Sequence, residues 1–509
     1  AASDSKTYDG TELINAGYSI TSGNLADNQT LIKVTVTGSQ LYSGSSTNKA
    51  SGAVIKDTGK NDVTGNYEIT YIAGTLVINS RSSERSPASK TTREGIDILI
   101  NGKTETAATA TTTQQGGKTI IAIVVDDKKI EEKLEQEGNN TIVTIPVTRG
   151  ADVVIVTLNG QTVKNMESKD AVLEIKTGQV TYTLPASQIN IDDVSEQIGK
   201  QIKLKDIDVS VNISEPAADT VKIVEDTANR NNFQIIMKPV EFKITCSSEK
   251  KTVEVSIFNK YVEKMIAIPE GADPSKVTTG VILNIDGSFS HVPTVITIID
   301  GKYYARINSL TNSVYSAIYS PKTFRDVERH WAKDDVNDMA SRLVVNGFSD
   351  DNFEPDRDIT RAEFTAITVR ALGLMKPGTE DTFNDVLKGT WYYDAVSKAY
   401  EYGLIAGYKN GKFSPMDKIT REQAMTIAVR ATKITGLKTG LADGETDKLL
   451  ESFVDANSVA EYAKANIASC IKTGMILGKD KTILAPKDNI TRAEAAVIIR
   501  RLLQLSGLI

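Results

Sequence analysis

Histidine and cysteine are nearly missing from this chain: two of each in 509 residues. His291 and His330 alone rule out multi-histidine metal sites and leave little from which to build a histidine-based triad. Cys246 and Cys470 lie far apart, in what read as different domains, so no disulfide is expected and neither belongs to a metal-spaced pair. A chain this long can fold without staples even in an oxidising compartment. No apolar run reaches the roughly eighteen residues that a membrane-crossing helix needs. Nor is there a basic excess: the net charge of −6 and pI near 5.4 exclude a broad nucleic-acid surface. The common enzyme signatures are also absent: His-Glu-x-x-His, Gly-x-Ser-x-Gly, a phosphate-binding Gly-Lys-Ser/Thr loop, a dinucleotide fingerprint and Cys-x-x-Cys. The chain therefore reads as a non-enzyme without a cofactor. A glycosidase using two carboxylates in the β-rich region is the enzymatic alternative.

What is present is ordinary globular composition, 40% hydrophobic and 24% charged, at a length that asks for several domains. One stretch organises the end of the chain. Ile359-Thr360-Arg361-Ala362-Glu363 returns as Ile419-Thr420-Arg421-Glu422-Gln423 and as Ile490-Thr491-Arg492-Ala493-Glu494. Thr-x-x-Glu/Gln before an apolar helical pattern is a capping box, so each copy starts a helix. The arginine at the first helical position is out of place there, because the positive helix end disfavours a cation by about 0.3–1 kcal/mol. Either an anion shares the site, bound by free N–H groups and a guanidinium fork, or the arginine packs its stem and pairs with an aspartate of the fold.

Other residues keep a fixed distance from each arginine. A proline lies six residues before it (Pro355, Pro415, Pro486), an apolar residue eight before (Phe353, Phe413, Leu484), and a glycine fourteen before (Gly347, Gly407, Gly478). An aromatic residue lies thirty before (Trp331, Trp391, Tyr462), and Phe-x-Asp stands farther back, ending in Asp326, Asp385 and Asp455. Each copy is thus a helix, a glycine-ended loop, a proline turn and a capped helix. Units this small share one core.

Upstream, residues 1–79 are rich in Gly, Ser, Thr and Asn, with strands expected at 31–36, 67–72 and 75–78 and turns at Asp9-Gly10 and Ala73-Gly74. Residues 80–94 read as a linker. Residues 95–320 are mostly strand-like, with Asn101-Gly102, Asn159-Gly160, Asp286-Gly287 and Asp300-Gly301 as hairpin turns, giving β-sandwich domains over 95–200 and 201–320. Helices are expected at 126–137, with Ile130 and Leu134 inward, and near 185–199. Thr-rich 104–113 reads as an exposed loop, with a sugar-bearing segment as the alternative. The start Ala1-Ala2-Ser3 fits a processed or trimmed product of a longer parent.

Two resemblances follow. Residues 1–79 resemble the MBG/YDG-type repeat of bacterial surface proteins, through Lys6-Thr7-Tyr8-Asp9-Gly10, Val36-Thr37-Gly38-Ser39-Gln40 and Asp62-Val63-Thr64-Gly65-Asn66-Tyr67 with Gly74-Thr75-Leu76. The repeats at 321–378, 379–440 and 441–509 resemble S-layer homology (SLH) domains, through Phe324-x-Asp326, His330-Trp331-Ala332, Gly347-Phe348, Phe353-x-Pro355, the Ile-Thr-Arg-Ala-Glu motif and their counterparts. That resemblance implies an α-helical pseudo-threefold bundle after the β domains. It also implies an extracellular protein of the bacterial cell surface, held non-covalently on anionic, pyruvylated secondary cell-wall polysaccharide. Its carboxylate partners would be Arg361, Arg421 and Arg492. Departures in the third copy (Tyr462, Leu484) point to one weaker groove. Trp331, Trp391 and Tyr462 read as core packing or sugar-stacking faces. Gly347, Gly407 and Gly478 read as left-handed ends of the first helices or close approaches to ligand. Asp326, Asp385 and Asp455 read as helix caps or ion-pair partners before metal or ligand contacts. No cofactor is expected; structural Ca²⁺ at Asp350, Asp351 and Asp356 is the exception the composition leaves open. The β domains would form a lattice, fibre or stalk with like subunits; the alternatives are an anchored adhesin or carrier of an upstream module, or an anchored polysaccharide hydrolase.

Overall fold

The computed structural model describes residues 1–7, 11–40, 44–79, 92–249, 251–284, 286–375, 382–480 and 482–509. The expected Asp9-Gly10 turn and most of the linker at 80–94 lie outside them. The described linker residues 92–94 belong to a strand, Thr92–Ile100.

Residues 1–79 carry a four-stranded sheet ordered Asp4–Thr7, Gly74–Asn79, Gly44–Asp57, Gln29–Thr37, with the first pair parallel. Strands form at 29–37 and 74–79 as expected, but 67–72 is not a strand. Its alternation finds no facing layer. Ile72 is exposed, while the Tyr67 and Tyr71 hydroxyls accept the Ala26 and Ala53 amides. The Ala73-Gly74 pair opens a strand instead of a turn.

One continuous sheet then runs through 92–319. Its path starts at Phe289–Val292, Thr279–Leu283 and Val314–Tyr319, continues through Gln234–Ser248, Asp208–Ser214, Val153–Asn159, Lys118–Val125, Lys103–Gln115 and Thr92–Ile100, then Ile142–Pro146, Val172–Lys176 and Val180–Pro185, and ends at Ile257–Ala267, Lys302–Thr311 and Thr294–Ile299. Its two edge strands, Phe289–Val292 and Thr294–Ile299, are consecutive in the chain, so the sheet curls into a barrel-like layer around one apolar core. Strand pairing crosses position 200, where Val180–Pro185 pairs with Ile257–Ala267 and Val153–Asn159 with Asp208–Ser214. Thr104–Thr113 is part of a strand and not a loop, since Ala108 and Ala110 alternate inward between its threonines. Asn101-Gly102 and Asp300-Gly301 make hairpin turns with both residues at positive φ. Asn159-Gly160 instead starts a helix, Gly160–Ser168, with the Asn159 side chain accepting the Thr162 amide. The helices at Asp127–Glu137 and Ile191–Ile198 fall where the pattern placed them; Ala218–Arg230 had no clear signal. Both cysteines are free and buried.

The C-terminal bundle packs three helix pairs around a second core. The first helices are Lys333–Ser341, Tyr393–Glu401 and Lys464–Thr473; the second are Arg361–Ala371, Arg421–Thr435 and Arg492–Leu505. Its axis is a closed ring of backbone bonds: Ile359 N–H donates to Ile490 O, Ile490 to Ile419 O and Ile419 to Ile359 O, at 3.0, 3.1 and 3.1 Å. The bundle is seated on the sheet through the Tyr261 hydroxyl, which donates to Leu372 O at 2.7 Å.

Candidate functional site

Each second helix starts in a capping box, with Thr360, Thr420 and Thr491 at the cap. The amides that follow are not left open for an anion. Arg361 and Ala362 donate to the carbonyls of Asp417 and Pro415 in the next repeat; Arg421 and Glu422 donate to Asp488 and Pro486, and Arg492 and Ala493 to Arg357 and Pro355. The arginine side chains do the same work. Nε of Arg361, Arg421 and Arg492 donates to the carbonyls of Phe413, Leu484 and Phe353 at 2.9, 2.9 and 2.7 Å. All three arginines are buried, and Arg361 and Arg492 stack on the rings of Phe413 and Phe353. The odd cation at a positive helix end is thus explained first by assembly: it fastens each repeat to its neighbour.

The other predicted residues divide. Asp326, Asp385 and Asp455 face the proline loop of their own repeat: Asp385 accepts the Phe413 and Ser414 amides at 2.8 Å each, and the other two accept the equivalent pairs. They hold a loop whose next residue, Glu354, Ser414 or Ala485, sits at positive φ. Gly347, Gly407 and Gly478 do not end the first helices; Leu343, Gly403 and Gly474 take the left-handed positions there. They are glycines because a Cβ would lie 2.6, 2.4 and 2.9 Å from a ring carbon of Phe324, Phe383 and Phe453, and at Gly347 and Gly478 closer still, 2.2 and 2.3 Å, to the carbonyls of Ser349 and Asp480. Trp331, Trp391 and Tyr462 are 65, 62 and 55% exposed, so they are surface faces and not core. Among the described residues no cluster of His, Cys, Asp or Glu has metal-binding geometry.

These parts meet in grooves between repeats. The groove between repeats one and two is a cavity of about 360 Å³ that includes Gly347, Trp391 and Arg492 in its lining. Glycine, aromatic and arginine thus come from three different repeats. It also contains Arg357 and Arg370, with Glu363 as its one lining carboxylate among the described residues. Glu363 pairs with Arg357. Burial, then the neighbouring Arg492 cation, pushes Arg370 down to about 10, and its buried Nε has no hydrogen-bond partner among the described residues. Burial, then the Arg357 cation, lowers Arg492 as well.

The groove between repeats three and one, about 540 Å³, has the opposite character: Asp356, Asp358, Asp488 and Glu494 face Lys479 and Lys487 beside Trp331. Arg421 is already neutralised there by Glu494 at 2.8 Å, and Lys479 by Asp488. Around Arg361, between repeats two and three, stand Tyr408, Asp417 and Tyr462. The Tyr462 hydroxyl is turned to Glu422, which Lys487 also pairs.

Arg357 and Arg370 escaped the sequence reading, although both had a signal. Nine residues after each motif arginine stands another, at Arg370, Arg430 and Arg501. Four residues before it stand Arg357, Asp417 and Asp488, a charge reversal confined to the first repeat.

Three segments match the S-layer homology domain: 323–365, 382–425 and 452–496. The C-terminal region therefore carries three such domains. The chain is 31% identical over 376 residues to an amylopullulanase of Thermoanaerobacterium thermosulfurigenes, covering 71% of this chain and 20% of that protein. It is 33% identical over 177 residues to the surface-layer 125 kDa protein of Lysinibacillus sphaericus (34% of this chain, 14% of that one). To the S-layer protein sap of Bacillus anthracis it is 28% identical over 200 residues (38% and 23%). The chain thus spans less than a quarter of each of these relatives. The three domains and the likeness to surface-layer proteins support a location at the cell surface or cell wall, and no described helix is long and apolar enough to cross a membrane.

Proposed function

We propose that the three repeats hold this chain on the cell wall by binding an anionic wall polysaccharide, with the groove between repeats one and two as its main seat. The observation that carries this reading is the crowding of Arg357, Arg370 and Arg492 in one groove against a single lining carboxylate among the described residues, beside the exposed face of Trp391. Like charges pressed together out of water cost free energy that a carboxylate ligand relieves. A glycan whose sugar carries an acidic ketal, as the SLH resemblance implies, supplies such a group together with an apolar ring face for Trp391. The acidic lining between repeats three and one disfavours the same ligand.

The test is co-sedimentation of the full chain with purified cell walls, before and after the anionic polysaccharide is extracted. Binding that disappears on extraction and falls with salt supports the reading; binding that survives extraction sinks it.

For the β domains, we favour a surface subunit that associates with its like, as the similarity to two surface-layer proteins suggests. The match to an amylopullulanase, of which the chain spans 20%, supports the carrier reading, in which these domains tether an activity lying elsewhere. Electron microscopy of the purified chain separates the two: sheets or filaments favour the subunit, single particles the carrier.

A further inference from the structure

The core of the barrel-like sheet holds a lysine. Lys264 is 0% exposed, and no carboxylate pairs with it among the described residues. Four rings box its amine: Nζ lies 5.3, 5.6, 5.6 and 4.9 Å from the ring centres of Tyr182, Phe242, Phe258 and Tyr315. Its hydrogen bond runs to the carbonyl of Thr311 at 3.0 Å. The next residue is Asn312, 7% exposed. The Asn312 side-chain oxygen accepts the Tyr182 hydroxyl at 2.8 Å, and its Nδ2 is buried without a partner among the described residues. An amine kept from water and counter-ion thus bonds the carbonyl of the residue before Asn312, and the Tyr182 ring that flanks the amine carries the hydroxyl that polarises the Asn312 carboxamide.

We propose that Lys264 and Asn312 become joined by a side-chain amide bond. Burial alone drives the lysine well below its ordinary pKa, which supplies the neutral amine that such a step needs. Nζ attacks Asn312 Cγ, and the carbonyl electron pair moves onto Oδ1, where the Tyr182 O–H holds the developing charge. As the carbonyl reforms, the Cγ–Nδ2 bond breaks. The proton shed by Nζ ends on Nδ2, which leaves as ammonia. Nothing is oxidised or reduced and no further reactant enters. The dry box protects the product from hydrolysis.

The bond would matter because of where Asn312 lies. Lys302–Thr311 pairs with the lysine's strand, whereas Val314–Tyr319, just beyond Asn312, pairs with Gln234–Ser248 and Thr279–Leu283 on the other arm of the sheet. The cross-link fastens the crossing between the two arms from inside, as suits a protein pulled between a wall and its surroundings.

Mass spectrometry of the full chain tests this without any variant. The expected result is a chain lighter than its sequence by one ammonia, about 17 Da. After denaturation, trypsin should leave Lys264 uncut, within a branched peptide that also contains Asn312. Tyr182→Phe, which keeps the ring and removes the hydroxyl, should leave a fraction of chains at full mass, and Asn312→Ala all of them. A wild-type chain of full mass with cleavage after Lys264 overturns the proposal, as does an ammonia loss mapped to another residue.

Discussion

Replacing Asp385 by alanine should unlatch the second repeat more than its surface position suggests. Its carboxylate accepts the amides of Phe413 and Ser414, both at 2.8 Å. Hydrogen bonds to a charged group contribute about 1.5–3 kcal/mol each. The loop they hold places Ser414 at φ 56°, a left-handed conformation costing roughly 1–2 kcal/mol that these two bonds help to offset. Phe413 is fully buried beneath it, and its carbonyl accepts Nε of Arg361. Water can reach part of the loop once the carboxylate is gone, so the loss falls below the simple sum, at about 3–5 kcal/mol. The chain offers a selective reporter, because its two tryptophans, Trp331 and Trp391, both lie in the bundle. Urea unfolding followed by tryptophan fluorescence should show the bundle transition move to lower denaturant, with Asp385→Asn intermediate. A shift worth less than about 1 kcal/mol would mean that the carboxylate does not hold the loop.

Gly407→Ala should cost about 1–3 kcal/mol in the same assay, because its Cβ would lie 2.4 Å from the Phe383 ring and 2.9 Å from Lys412 O; an unchanged midpoint would refute the packing argument. His291 is buried where the sheet meets the bundle, and burial first, then the Arg342 cation, lowers its pKa from 6.5 to about 3. The fold keeps the neutral ring, so this group costs nothing above about pH 6.5, and stability falls as pH drops from there toward about 3, by up to roughly 4–5 kcal/mol. His291→Gln should flatten that limb of the stability–pH curve; an unaltered slope would assign acid unfolding to other groups. Burial pushes the Cys246 thiol up to about 12 and the Cys470 thiol higher still. A thiol reagent should therefore label neither cysteine in the native chain and both after unfolding, whereas fast native labelling would contradict their burial.

The repeats could be read in the sequence because their spacing is a property of the folded unit. The distance from Pro355 to Arg361 recurs as Pro415 to Arg421 and Pro486 to Arg492 since the turn and the capped helix are built alike. What the motif arginines hold could not be read there. Their partners, the carbonyls of Phe413, Leu484 and Phe353, are backbone atoms of another repeat, which leave no mark in local pattern. The role of the glycines is hidden from local pattern for a related reason: Gly407 is needed by the edge of the Phe383 ring, a tertiary contact, and not by a positive φ. The threonine content of Thr104–Thr113 reads as a loop, yet threonine is β-branched, and the small Ala108 and Ala110 between the threonines fill the inward face of the strand. The two halves of the β region merged into one sheet because long-range pairs such as Val180 with Ile266 set its boundaries, and periodicity within each strand is silent about them. The charge difference between grooves was visible as Arg357 against Asp417 and Asp488, but its meaning needed the grooves.

The most direct test of the central claim exploits that difference. Arg357→Asp installs in the first repeat the residue that the second and third already carry at the same place, Asp417 and Asp488, so the fold has a precedent for it. Purified anionic wall polysaccharide is titrated by calorimetry into the full chain and into this variant. Binding should weaken by about tenfold or more, the loss of at least one charged hydrogen bond. The same glycan stripped of its acidic substituents should bind neither protein. Equal affinity of the wild type and Arg357→Asp for the acidic glycan would contradict the assignment of this groove.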